Sequence, residues 1–168
     1  MAPDRAAAQP VAGVGFSAQG FGASGWYRRS SGWDDPRVAF ATEGLSDEPV
    51  LGRHGVVGGG AAGHEADRFD PSLGSPAHAV VLASSEGLPP DMLLTKEELF
   101  ANGFAGAAVR SDVVFFEGPR GGAVFSASSI AWAASLATDG YDNDLARLTG
   151  NVLRRFADPT PFPPPPAG

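Results

Sequence analysis

The clearest pattern along the chain lies near its end. Leu145, Leu148, Val152 and Phe156 recur at spacings of 3, 4 and 4, which puts one apolar stripe on a helix. Asp142-Asn143-Asp144 supplies an N-cap and an acidic first turn, and Arg154 and Arg155 fall in the last turn, where cations suit the helix dipole. Upstream, Val109 to Glu117 holds Val113-Val114-Phe115-Phe116, the most strand-like run. Gly118-Pro119-Arg120-Gly121-Gly122 forces a turn, and Ala123 to Ser126 returns as the partner of a hairpin. Ala77 to Ala83 is an unbroken apolar run of strand length, which predicts a strand covered on both faces.

The first third is less regular. Val11 to Phe16 alternates apolar and small residues, as a strand does. Ser17 to Trp33 reads as an aromatic-rich loop whose Phe21, Trp26, Tyr27 and Trp33 either line a pocket or pack on a core edge. Asp34-Asp35-Pro36 marks a turn and a helix start. Arg37 to Ala41 is a short apolar run that periodicity assigns to neither strand nor helix. Met92 to Phe100 predicts a short strand followed by the start of a helix. No repeat or linker divides residues 11 to 158, so the organisation expected is a disordered start over 1–10, one domain over 11–158, and an extended, unpacked Pro-rich tail over 159–168.

Composition narrows the class. The chain has 168 residues, 43% hydrophobic and 18% charged, with 23 Gly and 15 Pro, enough for one domain with a modest core and many loops. With a net charge of −7 and Lys96 as the only lysine, the chain lacks the cationic cluster that phosphate neutralisation needs, so nucleic acid is not expected as a partner. No apolar run reaches the roughly 20 residues that span a bilayer, and the start lacks a signal-peptide core; a cytoplasmic location is expected. Without cysteine, disulfides, thiolate metal sites and cysteine nucleophiles are excluded.

The chemistry concentrates between Val56 and Asp70. Gly58, Gly59, Gly60 and Gly63 let the backbone bend and approach closely, presenting His64, Glu65 and Asp67. One reading is an active-site loop feeding a carboxylate into a cleft; the other is a tight surface turn before a solvated segment. Gly58, Gly60 and Gly63 match G-x-G-x-x-G, but Pro71 and Gly74 stop any helix after barely two turns, so a dinucleotide loop is rejected. Position 68 is Arg, so His64-Glu65 is not a zincin motif. Glu86, just past the Ala77–Ala83 run, is a second candidate, or a turn cap. His54, His64 and His78 with nearby carboxylates would suit a metal module, although scattered histidines more often serve structure.

These segments closely resemble one family, the C-terminal domain of the large (beta) subunit of N,N-dimethylformamidase. The pieces that carry the resemblance are Gly13 to Phe21, Asp35-Pro36-Arg37, Gly58 to Arg68, Ala79 to Gly87, and Asp112 to Phe156 with Phe125-Ser126-Ala127-Ser128-Ser129-Ile130-Ala131-Trp132 and Gly140-Tyr141-Asp142-Asn143-Asp144. Together they cover almost all of 11–158. The strand, turn and apolar-Trp pattern is also similar to glutamine-amidotransferase-like domains, so the expected fold is α/β, a mixed sheet flanked by helices, forming an incomplete domain.

The resemblance implies a hydrolase that cleaves the C–N bond of small formamides to formate and an amine, with a mononuclear iron held by two tyrosines and a carboxylate, an oxygen-rich set that polarises an amide carbonyl and activates water. Those ligands align upstream of Met1, and neither Tyr27 nor Tyr141 matches a ligand position. Glu65 corresponds to the family's catalytic carboxylate, acting on water or the leaving amine; His64, Glu86 and Asn143 are weaker substrate-site candidates. Leu88-Pro89-Pro90 stands where relatives tend to carry a polar, histidine-containing loop. The resemblance therefore implies a fragment or degenerate copy of a larger oligomeric enzyme, inactive alone and partnered by the missing upstream region or a small subunit. The alternative is a non-catalytic interaction or scaffold domain that retains only the fold.

Overall fold

The computed structural model describes residues 8–94 and 109–166. In chain order the elements are α1 (Gln9–Ala12), β1 (Gly15–Gln19), β2 (Trp26–Arg29), α2 (Ala39–Thr42), β3 (Val50–Leu51), β4 (Glu65–Arg68), β5 (Val80–Glu86), β6 (Leu93–Leu94), β7 (Asp112–Glu117), β8 (Ala123–Ser126), α3 (Ile130–Ser135) and α4 (Asp144–Ala157). The strands form a five-stranded sheet, β3-β2-β5-β7-β8, and a three-stranded sheet, β4-β1-β6. Sheet and helices are both present, as an α/β chain requires. In place of the expected mixed sheet, every pairing among the described strands is antiparallel.

β7 explains how an antiparallel strand can be an unbroken apolar run. All six of its residues are buried. Its side chains alternate between faces, so Val113 and Phe115 enter the main core with Tyr27, Leu82, Trp132, Leu145 and Leu148, while Val114 and Phe116 meet Val14 on the opposite face. The expected hairpin to β8 forms, with Phe115 opposite Phe125. Helix α4 is likewise as predicted: Asn143 caps it by accepting from the Ala146 N–H at 2.9 Å, and Leu145, Leu148 and Val152 are buried.

The ends of β7 carry buried charge. Asp112, 1% exposed, accepts from Phe69 N (2.9 Å), Ser84 Oγ (2.7 Å) and Arg110 Nε (2.8 Å). Phe69 immediately follows β4 and Ser84 lies in β5, so this one carboxylate ties the small sheet to the large one. A buried carboxylate is tolerable only with such a set of donors.

Several expectations shift. Pro10 opens the helical turn α1, so Gln9 and Pro10 are ordered and β1 begins at Gly15, four residues later than the alternation at Val11 suggests. Residues 1–7 of the expected disordered start, and 95–100 of the expected helix start, lie outside the described residues; Leu93–Leu94 does form the predicted short strand. The aromatic loop contains the end of β1 and all of β2, with Tyr27 fully buried. The Pro-rich tail is extended but packed: the Phe162 ring meets Phe40, Phe115 and Phe156 at centroid separations of 5.2 to 5.9 Å, and Arg155 lies 3.8 Å over it.

These contacts set two stabilities. Phe162→Ala should lower the unfolding free energy by about 1.5 kcal/mol, part of the value of a buried phenylalanine; urea unfolding at wild-type stability would show the tail to be unpacked. Asp112→Ala should cost about 3 kcal/mol, because donors from both sheets lose their acceptor, and the same titration reads it.

Candidate functional site

The Gly58–Gly63 loop is held against residues 22–25, and the approach leaves no room for a side chain at Gly58, Gly60 or Gly63. A Cβ on Gly60 would lie 2.1 Å from Gly25 O, and one on Gly63 would lie 2.4 Å from Ser24 Oγ. Gly25 and Ala62 exchange both backbone hydrogen bonds. The loop is therefore a pinned segment, and the chain leaves it through His64, whose φ of 64° is unusual for a residue with a side chain. Gly20 N donates to His64 O at 2.9 Å, and the Phe21 ring meets the imidazole edge-on at 6.0 Å.

The loop runs directly into strand β4 and not into a helix, the outcome that rejecting a dinucleotide loop requires. Glu65 and Asp67 sit two residues apart on one strand and share a face, both half-buried, while Ala66 and Arg68 are buried on the other. β1 completes the face through a bulge. Phe16 pairs with Asp67 and Ala18 with Ala66, so Ser17 is the extra residue, its hydroxyl donating to Ala66 O at 2.7 Å. Because of that extra residue, Phe16 joins the carboxylate face while Ala18 enters the small core with Ala66 and Met92. Gln19 pairs with Glu65 on one side and Leu93 on the other, which makes a row Glu65, Gln19, Leu93 across the sheet.

The outer edge of β4 is covered by the turn before α3. Asp67 N donates to Ser128 O (3.1 Å), and Gly63 N donates to Ser129 Oγ (2.8 Å), which reaches back to Gly63 O at 2.8 Å. Ser128 has φ 61°, and its buried Oγ has no hydrogen-bond partner among the described residues. Beneath it, Ser111 Oγ donates to Ser128 O (2.5 Å), and Tyr27 Oη lies 2.7 Å from Ser111 Oγ and 3.0 Å from Ala127 O. Burial holds the Tyr27 phenol well above its ordinary range, against the opposing effect of these hydroxyls, so it keeps its proton.

Among the carboxylates expected from sequence, Glu65 takes no hydrogen bond and no ion pair from the described residues. Its neighbour Asp67, which sequence reasoning presents in the loop without selecting it as a site residue, is pushed up to about 6, first by burial and then by the Glu65 charge. The i, i+2 spacing of two acids after a glycine loop is the available signal. Glu86 is different. It ends β5, accepts from Arg28 Nε (2.5 Å) and Trp26 Nε1 (3.3 Å), and the Arg28 bond holds its carboxyl below the usual range. Asn143 is consumed as a cap, its amide donating to Leu136 O and Thr138 O. Both are engaged by these partners in this arrangement.

His78 Nε2 lies 3.1 Å from Glu117 O, and His54 lines a cleft with Val50, Arg53 and Asp144, its buried Nε2 without a hydrogen-bond partner among the described residues. No three His, Asp or Glu among the described residues form a group that could hold a metal ion. The two tyrosines do not fit an iron centre either, since Tyr27 is fully buried and hydrogen-bonded and Tyr141 is 66% exposed. No helix among the described residues is long and apolar enough to cross a membrane.

A family profile described as N,N-dimethylformamidase beta subunit-like, C-terminal, matches residues 1–144. The N,N-dimethylformamidase beta subunits of Alcaligenes sp and of Paracoccus aminophilus are each 38% identical to the chain over an alignment of 164 residues that covers 94% of this chain and 21% of theirs. The chain thus spans about a fifth of the length of these relatives, which are named as one kind of subunit of an enzyme.

The Asp67 environment predicts a pH dependence of stability. The unfolded carboxyl loses its proton near the ordinary value of about 3.9 and the folded one near 6, so the folded state binds more protons between these values and stability falls as pH rises through that window. Asp67→Asn should remove the penalty and stabilise the chain by about 1 to 2 kcal/mol at pH 7.5, after a discount for partial exposure, and by almost nothing at pH 4. Urea unfolding at the two pH values checks this; an equal gain at both would count against it.

Proposed function

The chain belongs to the N,N-dimethylformamidase beta subunit-like C-terminal family, and from that premise we propose that it is the C-terminal portion of an amidohydrolase, lending Glu65 to a composite site that cleaves the C–N bond of small formamides. The observation that carries the reading is the contrast among the acids. Glu86 is neutralised by Arg28, whereas Glu65 is half-buried, set on a pinned backbone, and engaged by no donor or cation among the described residues. A carboxylate held in place without a partner is available to a proton.

In this role Glu65 takes the proton of the water that attacks the formyl carbon. It returns that proton to the amide nitrogen as the C–N bond breaks, so that formate and the amine leave. Asp67 stands beside it on the same face and keeps part of its protonated population to higher pH than an exposed aspartate. His64 and its Phe21 neighbour would border the substrate. The proposal includes the iron implied by the family resemblance, held by polypeptide other than the described residues. It also includes a subunit partner, an oligomeric whole enzyme and a cytoplasmic location. It extends to a glutamine-amidotransferase-like arrangement, a sheet with helices packed against it.

In the assembled enzyme Glu65→Gln should lower kcat by about 10² to 10⁴ with subunit association retained, the usual worth of a positioned acid-base group. The chain by itself, supplied with iron, should release no formate from dimethylformamide. Unchanged turnover in the Glu65→Gln enzyme would leave the scaffold reading in its place.

A further inference from the structure

We infer that the surface around Glu65 is a docking face for the remainder of the large subunit, the part of the relatives' polypeptide that lies beyond the matched fifth. Nine large apolar side chains are exposed among the described residues, and four of them gather here from separate segments: Phe21 (79%), Val56 (81%), Leu93 (62%) and Ile130 (55%). Backbone bonds show that they share one neighbourhood. Gly20 N binds His64 O beside Phe21, Val56 N reaches Ala134 O in α3, the helix that Ile130 begins, and Ala131 N binds Gly63 O. Leu93 closes the row that starts at Glu65. A concentration of apolar side chains around ionisable groups marks an interaction surface more often than chance exposure does.

Two features choose the occupant. The relatives carry far more polypeptide than the part this chain matches, and domains of one chain meet through interfaces of several hundred square ångströms or more. The face also has uncompensated negative charge: neither Glu65 nor Asp67 pairs with a cation among the described residues, so its complement is an apolar surface that carries positive charge. The pinned loop and the covered edge of β4 leave the face already formed, which lowers the ordering cost of docking. The inference rests on the proposed function only for the identity of the occupant.

The test is photo-crosslinking in the native host, with benzoylphenylalanine placed at position 21 and, as a control, at position 153, since Leu153 is 64% exposed on α4. The expected products from position 21 are joined to large-subunit peptides outside the matched region, identified by mass spectrometry, with few or none from position 153. Products from position 21 that join only a second copy of this chain or an unrelated protein, no product at all, or equal yields from position 153 would overturn the inference. A Phe21→Asp, Ile130→Asp double variant should bind the remaining polypeptide at least tenfold more weakly while its own thermal unfolding is unchanged. Glu65→Gln removes one of the two charges and leaves the apolar contacts, so it should weaken binding by no more than about threefold. Normal binding by the double variant with an inactive Glu65→Gln enzyme would sink the docking face and keep the catalytic reading; weakened binding with an active Glu65→Gln enzyme would do the reverse.

Discussion

One buried carboxylate sets the relation between the two sheets. Asp112 has almost no contact with water, and a charge in that position must be met by donors. It finds them in three places: the backbone just past β4, a serine in the middle of β5, and the arginine two residues before it. Arg110 also grips Phe69 O at 2.8 Å, so the strand that carries the acids is fastened from both its donor and its acceptor side. The geometry of the acidic face thus depends on a charge buried one sheet away from it.

A second layer of polar contacts works through Ser128. Its carbonyl accepts from Asp67 N and from Ser111 Oγ, and the Tyr27 hydroxyl meets that same Ser111 hydroxyl. The left-handed backbone at Ser128 and at His64 costs of order 1 to 3 kcal/mol each, and both residues flank β4. The surrounding hydrogen bonds overdetermine them. Strain and rigidity are found together where the unpaired carboxylate is presented, which is the arrangement expected of a site that needs position more than stability.

The parts legible in the sequence are those whose local and tertiary preferences agree. Helix α4 has stripe, cap and dipole pointing the same way; β7 and β8 have apolar runs and a turn that permits only a hairpin. The misreadings fall where long-range contacts decide. Glu65-Ala66-Asp67-Arg68 holds no strong strand former, and it is a strand only because β1 pairs with it and Ser128 covers its edge. Trp26 to Arg29 alternates in burial around Tyr27, a pattern too short to stand out among glycines and aromatics. The tail reads as unpacked because six prolines suppress any periodic signal, yet its single phenylalanine finds an aromatic cluster. Glu65 is visible from its glycine loop and from family resemblance. Asp67 is not, because its significance lies in burial, which a sequence does not print.

The extra residue at Ser17 has an evolutionary corollary. The bulge is what lets Phe16 and Ala18, two positions apart, stand on opposite sides of the sheet, since each regular step along a strand reverses the side on which a residue appears. Point substitutions in β1 alter one lining group apiece, and loss of the Ser17 codon would only regularise the ladder, with Phe16 still opposite Asp67 and Ala18 still opposite Ala66. Lineages of this domain should therefore tolerate a β1 one residue shorter at this point, losing only the Ser17 hydroxyl bond to Ala66 O.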